Sequence, residues 1–261
     1  MEGWNPRPLD PGMIRLHRRG NGTPLVMLHC LGQSHRFWDV LSPLADIREL
    51  IAYSWPGHHD TPLPGHQYGV PELASQLRAV ALREGLAKFD LMGISLGGTV
   101  AAHFAGEWPD MVGKLVLADC APRYDDASRA NWPVRAAIAR AQGVRALVPM
   151  LMGVFFTERS LAEDGPDVRH VREIFHACSG EGYALACEAL ATCDARAQVA
   201  RIRAPALIML GSAEREMFQE AARWMNAAIP GSRVLEVPEA GHASIRHRPA
   251  FALAALREFL S

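Results

Sequence analysis

Little in this sequence points toward a nucleic acid, a membrane or a metal. Its charges almost cancel, with 27 Lys and Arg against 28 Asp and Glu and a formal net charge of −1. A chain so balanced has no broad field to draw in a polyanion or an anionic bilayer. No apolar run approaches the roughly 20 residues that cross a membrane. The start, Met1-Glu-Gly-Trp-Asn-Pro6, has neither the basic patch nor the apolar stretch of a secretory leader, so a cytoplasmic location is expected. Cysteine is scarce and odd in number: Cys30, Cys120, Cys178, Cys187 and Cys193 show no C-x-x-C spacing. Free thiols in a reducing compartment are expected, with no disulfide framework and no zinc site. Internal repeats, low-complexity tracts and linkers are also missing. The partner expected for such a chain is a small molecule, without nucleic acid or membrane.

What is present is an α/β alternation long enough for one domain with a full core. Residues 13–19 alternate weakly and predict an edge strand. Short apolar runs at 25–28, 50–54, 89–92, 114–118, 203–210 and 232–237 predict buried parallel strands. Helical spacing predicts helices over 37–44, 71–86, 218–228 and 248–260. The alternation breaks between Arg123 and Ala200, where four helices are predicted over 129–142, 144–155, 166–177 and 182–192 with no strand. This predicts a core of residues 1–122 and 201–261 with a helical lid, 123–200, inserted at the ligand-binding edge of the sheet. Trp132, Met150, Met152, Phe155, Phe156 and Tyr183 are candidates for its underside.

Chemistry concentrates at Gly93-Ile-Ser95-Leu-Gly97-Gly98, between a predicted strand and a predicted helix. In that context G-x-S-x-G marks a sharp turn that exposes a serine hydroxyl, with glycines where a β-carbon would collide. The Leu96 amide then lies at a helix N-terminus, where free N–H groups favour negative charge. The loop His29-Cys-Leu31-Gly-Gln-Ser34 leaves a strand end, and its Leu31 amide is the candidate second donor to an oxyanion. A serine needs a base, and the base needs an acid to hold its tautomer. His242, in Ala-Gly-His after the last predicted strand, is the candidate base. The adjacent His58, His59 and Asp60 lack the spacing of two histidines on one face, so no metal is expected there and they are read as loop residues.

Together Leu28-His-Cys-Leu-Gly32, Pro56-Gly-His58, Gly93–Gly98, Leu115-Val-Leu-Ala-Asp119, Arg203-Ala-Pro-Ala-Leu207 and Ala240-Gly-His242 make the chain resemble the α/β-hydrolase superfamily over nearly its whole length. Within it, Trp132-Pro-Val-Arg135, Phe156-Thr157, Gly182-Tyr-Ala184 with Cys187, and Cys193-Asp-Ala-Arg196 are similar to the 3-oxoadipate enol-lactonases. The resemblance implies an α/β-hydrolase fold and a carboxylic-ester hydrolase that uses Ser95 as nucleophile and needs no cofactor. It implies an acid after the Gly211 turn. That position holds Glu214 where the family usually has aspartate, with Glu216 nearby and Asp119 as the alternative. Other departures are Cys30 and His59, where the family usually has glycine, and His247, where it often has glutamate. The implied substrate is a small carboxylated lactone, for which Arg123 and Arg135 are candidate guanidinium partners beside Trp132, Phe155 and Phe156. The same scaffold carries general carboxylesterases, carbon–carbon bond hydrolases and perhydrolases, and these stay open beside a non-catalytic binding protein.

Overall fold

The computed structural model describes residues 4–261; Met1–Gly3, the start of the segment read as lacking a leader, lie outside the described residues. Seven strands share one sheet: β1 (His17–Arg19), β2 (Pro24–Leu28), β3 (Glu49–Tyr53), β4 (Phe89–Ile94), β5 (Val112–Ala118), β6 (Ala206–Gly211) and β7 (Arg233–Val237). Their order is β1-β3-β2-β4-β5-β6-β7. Only β1 runs antiparallel to its neighbour; every other pairing is parallel. The apolar runs of β4 and β6 are wholly buried, as strands covered on both faces must be, whereas β1 at the edge is not.

Register positions the chemistry. Leu28 pairs with Gly93, Ile94 with Ala118, and Gly211 with Val237. The carboxyl ends of the central strands therefore finish level, and the segments after them meet at one edge of the sheet, where open α/β sheets bind ligands. Helices α1 (Val70–Arg83) and α2 (Leu96–Glu107) follow β3 and β4. Between β5 and β6 lie α3 (Asp126–Gln142), α4 (Val148–Phe155), α5 (Glu158–Glu163), α6 (Pro166–Ala177), α7 (Gly180–Thr192) and α8 (Arg196–Val199), with no strand among the described residues. Helices α9 (Glu216–Ala228), α10 (Ser244–His247) and α11 (Pro249–Leu260) complete the chain.

Some local forms differ from the sequence reading. The helix expected at 37–44 is a 3₁₀ run, His35–Asp46, with Pro43 inside it; proline removes a donor and disfavours continuous α geometry. Helices α5 and α8 are too short to show periodicity. Met150, expected beneath the helical segment, is 41% exposed. All five cysteines are free, and burial pushes the thiols of Cys178, Cys187 and Cys193 up to about 12.

Candidate active site

Ser95 sits between β4 and α2 at φ 53°, ψ −119°, a left-sided conformation that costs a non-glycine residue about 1–3 kcal/mol. Its surroundings impose the turn. A β-carbon on Gly93 would lie 2.1 Å from the Gly97 carbonyl oxygen, and one on Gly97 would lie 2.0 Å from that of Leu28. The Ser95 N–H donates to the Ala118 carbonyl at 2.9 Å, and Thr99 Oγ donates to the Ala121 carbonyl at 2.9 Å, fixing α2 over the sheet edge.

The Ser95 hydroxyl is 2.8 Å from His242 Nε2. On the other side of that ring, Nδ1 hydrogen-bonds Glu214 Oε2 at 2.5 Å. Nδ1 therefore carries the proton, and Nε2 is free to accept one from the serine. Burial alone would raise the Glu214 carboxyl, but the His242 imidazole and the Arg215 N–H hold it below the usual range. Ser95, Glu214 and His242 are 6%, 6% and 5% exposed. Phe218 lies 4.6 Å from the His242 ring and Phe155 5.6 Å, so water has little room around the base.

The other candidate carboxylate, Asp119, makes no hydrogen bond to His242. Its Oδ1 accepts the Gly211 N–H at 2.9 Å, and its Oδ2 accepts both the N–H and the hydroxyl of Ser244. Asp119 thus ties the end of β6 to the residues just past His242. Burial, then the Glu214 charge, push its carboxyl up to about 7. Glu216 faces solvent and pairs with Arg223.

The loop after β2 is held by two histidines. His29 Nδ1–H donates to the Cys30 carbonyl, and its Nε2 accepts the Trp55 N–H. His58 Nε2 accepts the Gly32 N–H at 3.3 Å, while its Nδ1–H donates to Pro56. Both rings are neutral in this arrangement. The Leu31 N–H makes no hydrogen bond among the described residues. The Leu96 N–H is at the first position of α2, where no intrahelical acceptor exists.

Burial lowers His29 well below the ordinary histidine value, so the unfolded chain takes up a proton that the folded one refuses. Stability is expected to fall as pH drops below about 6.5, by about 1.4 kcal/mol per unit from this residue, until the folded value is reached. Urea titrations at stepped pH check this. A slope left unchanged by His29→Asn would refute it.

Aromatic side chains run from the His242 ring into the helical segment. Phe218 is 6.0 Å from Tyr124, and Tyr124 is 5.4 Å from Trp132. The Arg135 guanidinium lies 4.4 Å above Trp132 and donates to the Tyr183 hydroxyl. The Tyr124 hydroxyl, the Trp132 indole N–H and Arg135 Nε are buried without protein partners among the described residues. Tyr183 and Phe175 press on Gly32, where a β-carbon would meet them at 3.0 Å and 2.7 Å. Arg123 is not brought here: it pairs with Asp126 at 2.8 Å and approaches Asp194 at the surface. Phe156, expected beside the substrate, packs instead on His247 at 5.4 Å, because it follows Phe155 and points elsewhere. Tyr124, Phe175 and Phe218 were not picked out from the sequence. Tyr124, five residues past Asp119, had a positional signal; the other two had none beyond helical spacing.

The helical segment is joined to the loop that carries His242. The His242 N–H reaches the Val154 carbonyl at 3.4 Å, and the Ala243 N–H the Phe155 carbonyl at 3.1 Å. His247 Nδ1 accepts the Gly241 N–H at 3.1 Å while its Nε2 reaches the Ser160 hydroxyl on α5. On the far side Gly57 and Gly182 touch backbone to backbone, since a β-carbon on Gly182 would lie 2.2 Å from the Gly57 oxygen.

A profile described as the alpha/beta hydrolase family matches residues 25–256. Among curated proteins, a 3-oxoadipate enol-lactonase of Acinetobacter baylyi is 28% identical over 229 residues, which are 86% of this chain and 84% of that protein. A pimeloyl-[acyl-carrier protein] methyl ester esterase of Chromobacterium violaceum is 31% identical over 239 residues, 86% of this chain and 89% of the other. Among solved structures, an enol-lactonase from Burkholderia xenovorans superposes with a TM-score of 0.89 at 25% identity, covering 95% of this chain and 96% of that one.

Proposed function

We propose that this chain, which belongs to the alpha/beta hydrolase family, hydrolyses a small carboxylic ester or lactone through a Ser95 acyl-enzyme. The observation that carries the reading is the continuous hydrogen-bonded line from Ser95 through His242 to Glu214. In this reading His242 Nε2 takes the Ser95 proton as the oxygen attacks the carbonyl. The Leu31 and Leu96 amides receive the developing oxyanion. His242 then protonates the leaving oxygen and takes a proton from water; the hydroxide attacks the acyl carbonyl, and Ser95 Oγ leaves with the proton held on His242 as the acid is released. Glu214 stays ionised and holds the Nδ1–H tautomer. Its extra methylene relative to aspartate still reaches His242, while its second oxygen is steadied by the Arg215 amide. No cofactor enters these steps, and the setting proposed is cytoplasmic.

The substrate is proposed to be small and anionic. The unpartnered Arg135 Nε, on a guanidinium stacked over Trp132, offers a carboxylate a charged donor at the end of the aromatic path. Similarity to the enol-lactonases supports a lactone in aromatic catabolism. Similarity to the methyl ester esterase favours a second reading, an acyclic ester.

Turnover of an enol-lactone and of a short aryl ester by wild type, Glu214→Gln and Asp119→Asn tests the assignment. Glu214→Gln is expected to lose about 10⁴-fold in kcat, the scale seen when a triad acid is neutralised. Asp119→Asn leaves one Ser244 donor unmatched and is expected to lose about 1–3 kcal/mol of stability with kcat largely kept. The reverse pattern would make Asp119 the acid. Preference for the aryl ester would favour the acyclic reading. Failure of a fluorophosphonate probe to label Ser95 would favour a binding protein.

A further inference from the structure

Outside the candidate active site, three distant stretches bring histidines to one carboxylate. His17 on β1 places Nε2 2.7 Å from Asp60 Oδ2. His35, at the start of the 3₁₀ run, places Nδ1 3.6 Å from Asp60 Oδ1, and His59 places its Nδ1 3.4 Å from the same oxygen. The donor atoms of His17, His35 and Asp60 lie within 4.8 Å of one another. Asp60 Oδ1 is buried and has no hydrogen-bond partner among the described residues, although both neighbouring imidazoles face it. His59 also holds φ 46°, a conformation that favours glycine. A strained histidine aimed at an unsatisfied buried carboxylate oxygen calls for a ligand between them.

We propose that His17, His35 and Asp60 form the core of a binding site for a divalent transition metal ion of the zinc class, with His59, which now reaches only Asp60, moving in as the fourth ligand. Three imidazole nitrogens and one carboxylate oxygen match the donor set and number that zinc accepts, and magnesium or calcium would want more oxygen. Binding requires several adjustments. The Ser54 hydroxyl, now 3.1 Å from His35 Nδ1, turns away and leaves that nitrogen free. His59 swings toward His17 and His35. The His17 proton, now on Nε2 facing Asp60, moves to Nδ1, where the side chain is 34% exposed. The His17 and His35 rings, now stacked 3.5 Å apart, splay so that each lone pair points at the ion. The sequence reading excluded a metal from the spacing of His58, His59 and Asp60 alone. Pairing of β1 with β3 and the path of the loop after β2 bring in the other two donors, which no local spacing reveals.

The ion would fasten three segments together: the β1 edge, the exit of the loop that carries Leu31, and the loop whose His58 holds the Gly32 amide. The test is titration of chelator-treated, dialysed full-length protein with Zn²⁺ by calorimetry, and with Co²⁺ by visible absorption. One equivalent is expected to bind, with the intense d–d bands of a tetrahedral cobalt site and a higher Tm in Zn²⁺. His17→Ala, His35→Ala and His59→Gly are each expected to lower Zn²⁺ affinity at least 10-fold. His176→Ala, on exposed helix surface, should not change it. His59→Gly also guards against misfolding as an explanation, because glycine relieves the positive φ and should raise the metal-free Tm. An affinity unchanged in any of the three variants, or no stoichiometric binding by wild type, overturns the assignment. Loss of esterase activity bears on Ser95 and not on this site, so the two readings fail separately.

Discussion

Ser95→Ala is expected to lower kcat on a short aryl ester by about 10⁴–10⁶-fold, the range found when a triad serine is removed from a hydrolase. The reason is local. In the proposed mechanism His242 would keep its tautomer through Glu214, and the Leu31 and Leu96 amides would remain, but no protein oxygen would be left to attack. What survives is the rate that positioning and the oxyanion donors give to water. Stability separates a chemical loss from a structural one. Ser95 sits at φ 53°, ψ −119°, which alanine tolerates no better than serine and glycine tolerates freely. Ser95→Gly should therefore be as inactive as Ser95→Ala but more stable by about 1 kcal/mol. Activity assays paired with thermal melts of both variants check this. Residual activity within 10-fold of wild type would show that the nucleophile is another group.

The largest structural effect is expected at Gly97. A β-carbon there would lie 2.0 Å from the Leu28 oxygen and 2.5 Å from the Leu28 carbonyl carbon, both main-chain atoms of a central strand. No side chain can rotate away, so Gly97→Ala must push α2 off β2. A clash with backbone exceeds the usual 1–3 kcal/mol of overpacking, and a loss of about 3–5 kcal/mol is expected. In a chain this long that lowers Tm by roughly 10 °C and leaves little soluble protein. Gly153 on α4 is the control, since nothing lies within 4 Å of its added β-carbon. Gly153→Ala should hold or slightly raise Tm. Equal melting of the two variants would contradict the clash.

Much of the fold was legible because its signals are local. Buried strands are short apolar runs, and the turn at Ser95 is written in Gly93, Gly97 and Gly98 as three separate steric demands. Placement after the last strand pointed to His242, and the resemblance to the hydrolase family pointed to Glu214, with Asp119 as the alternative. The illegible parts depend on where side chains turn or on which distant segments meet. Phe155 and Phe156 are adjacent, but α4 ends at Phe155 and Phe156 is extended, so Phe155 faces His242 while Phe156 faces His247. Arg123 is a free guanidinium on sequence grounds, but in the fold Asp126 and Asp194 claim it. His17 and His35 gave no hint of each other, because their encounter is made by sheet pairing. Asp119 and Glu214 were rivals on sequence grounds, since both follow strand ends at the same edge; Ser244 and the Gly211 amide occupy the first.

The helical segment between β5 and β6 is bonded to the residues it covers. The Val154 and Phe155 carbonyls hold the backbone of His242 and Ala243, and His247 clasps Ser160 and Gly241 together. Gly57 meets Gly182 with no side chain between to act as a bearing. Swinging this segment aside would pull on the backbone of His242 and draw its imidazole away from Ser95. The bonds that align the imidazole are thus the same ones that tie the helical segment to the core, so the two hold or shift as one piece.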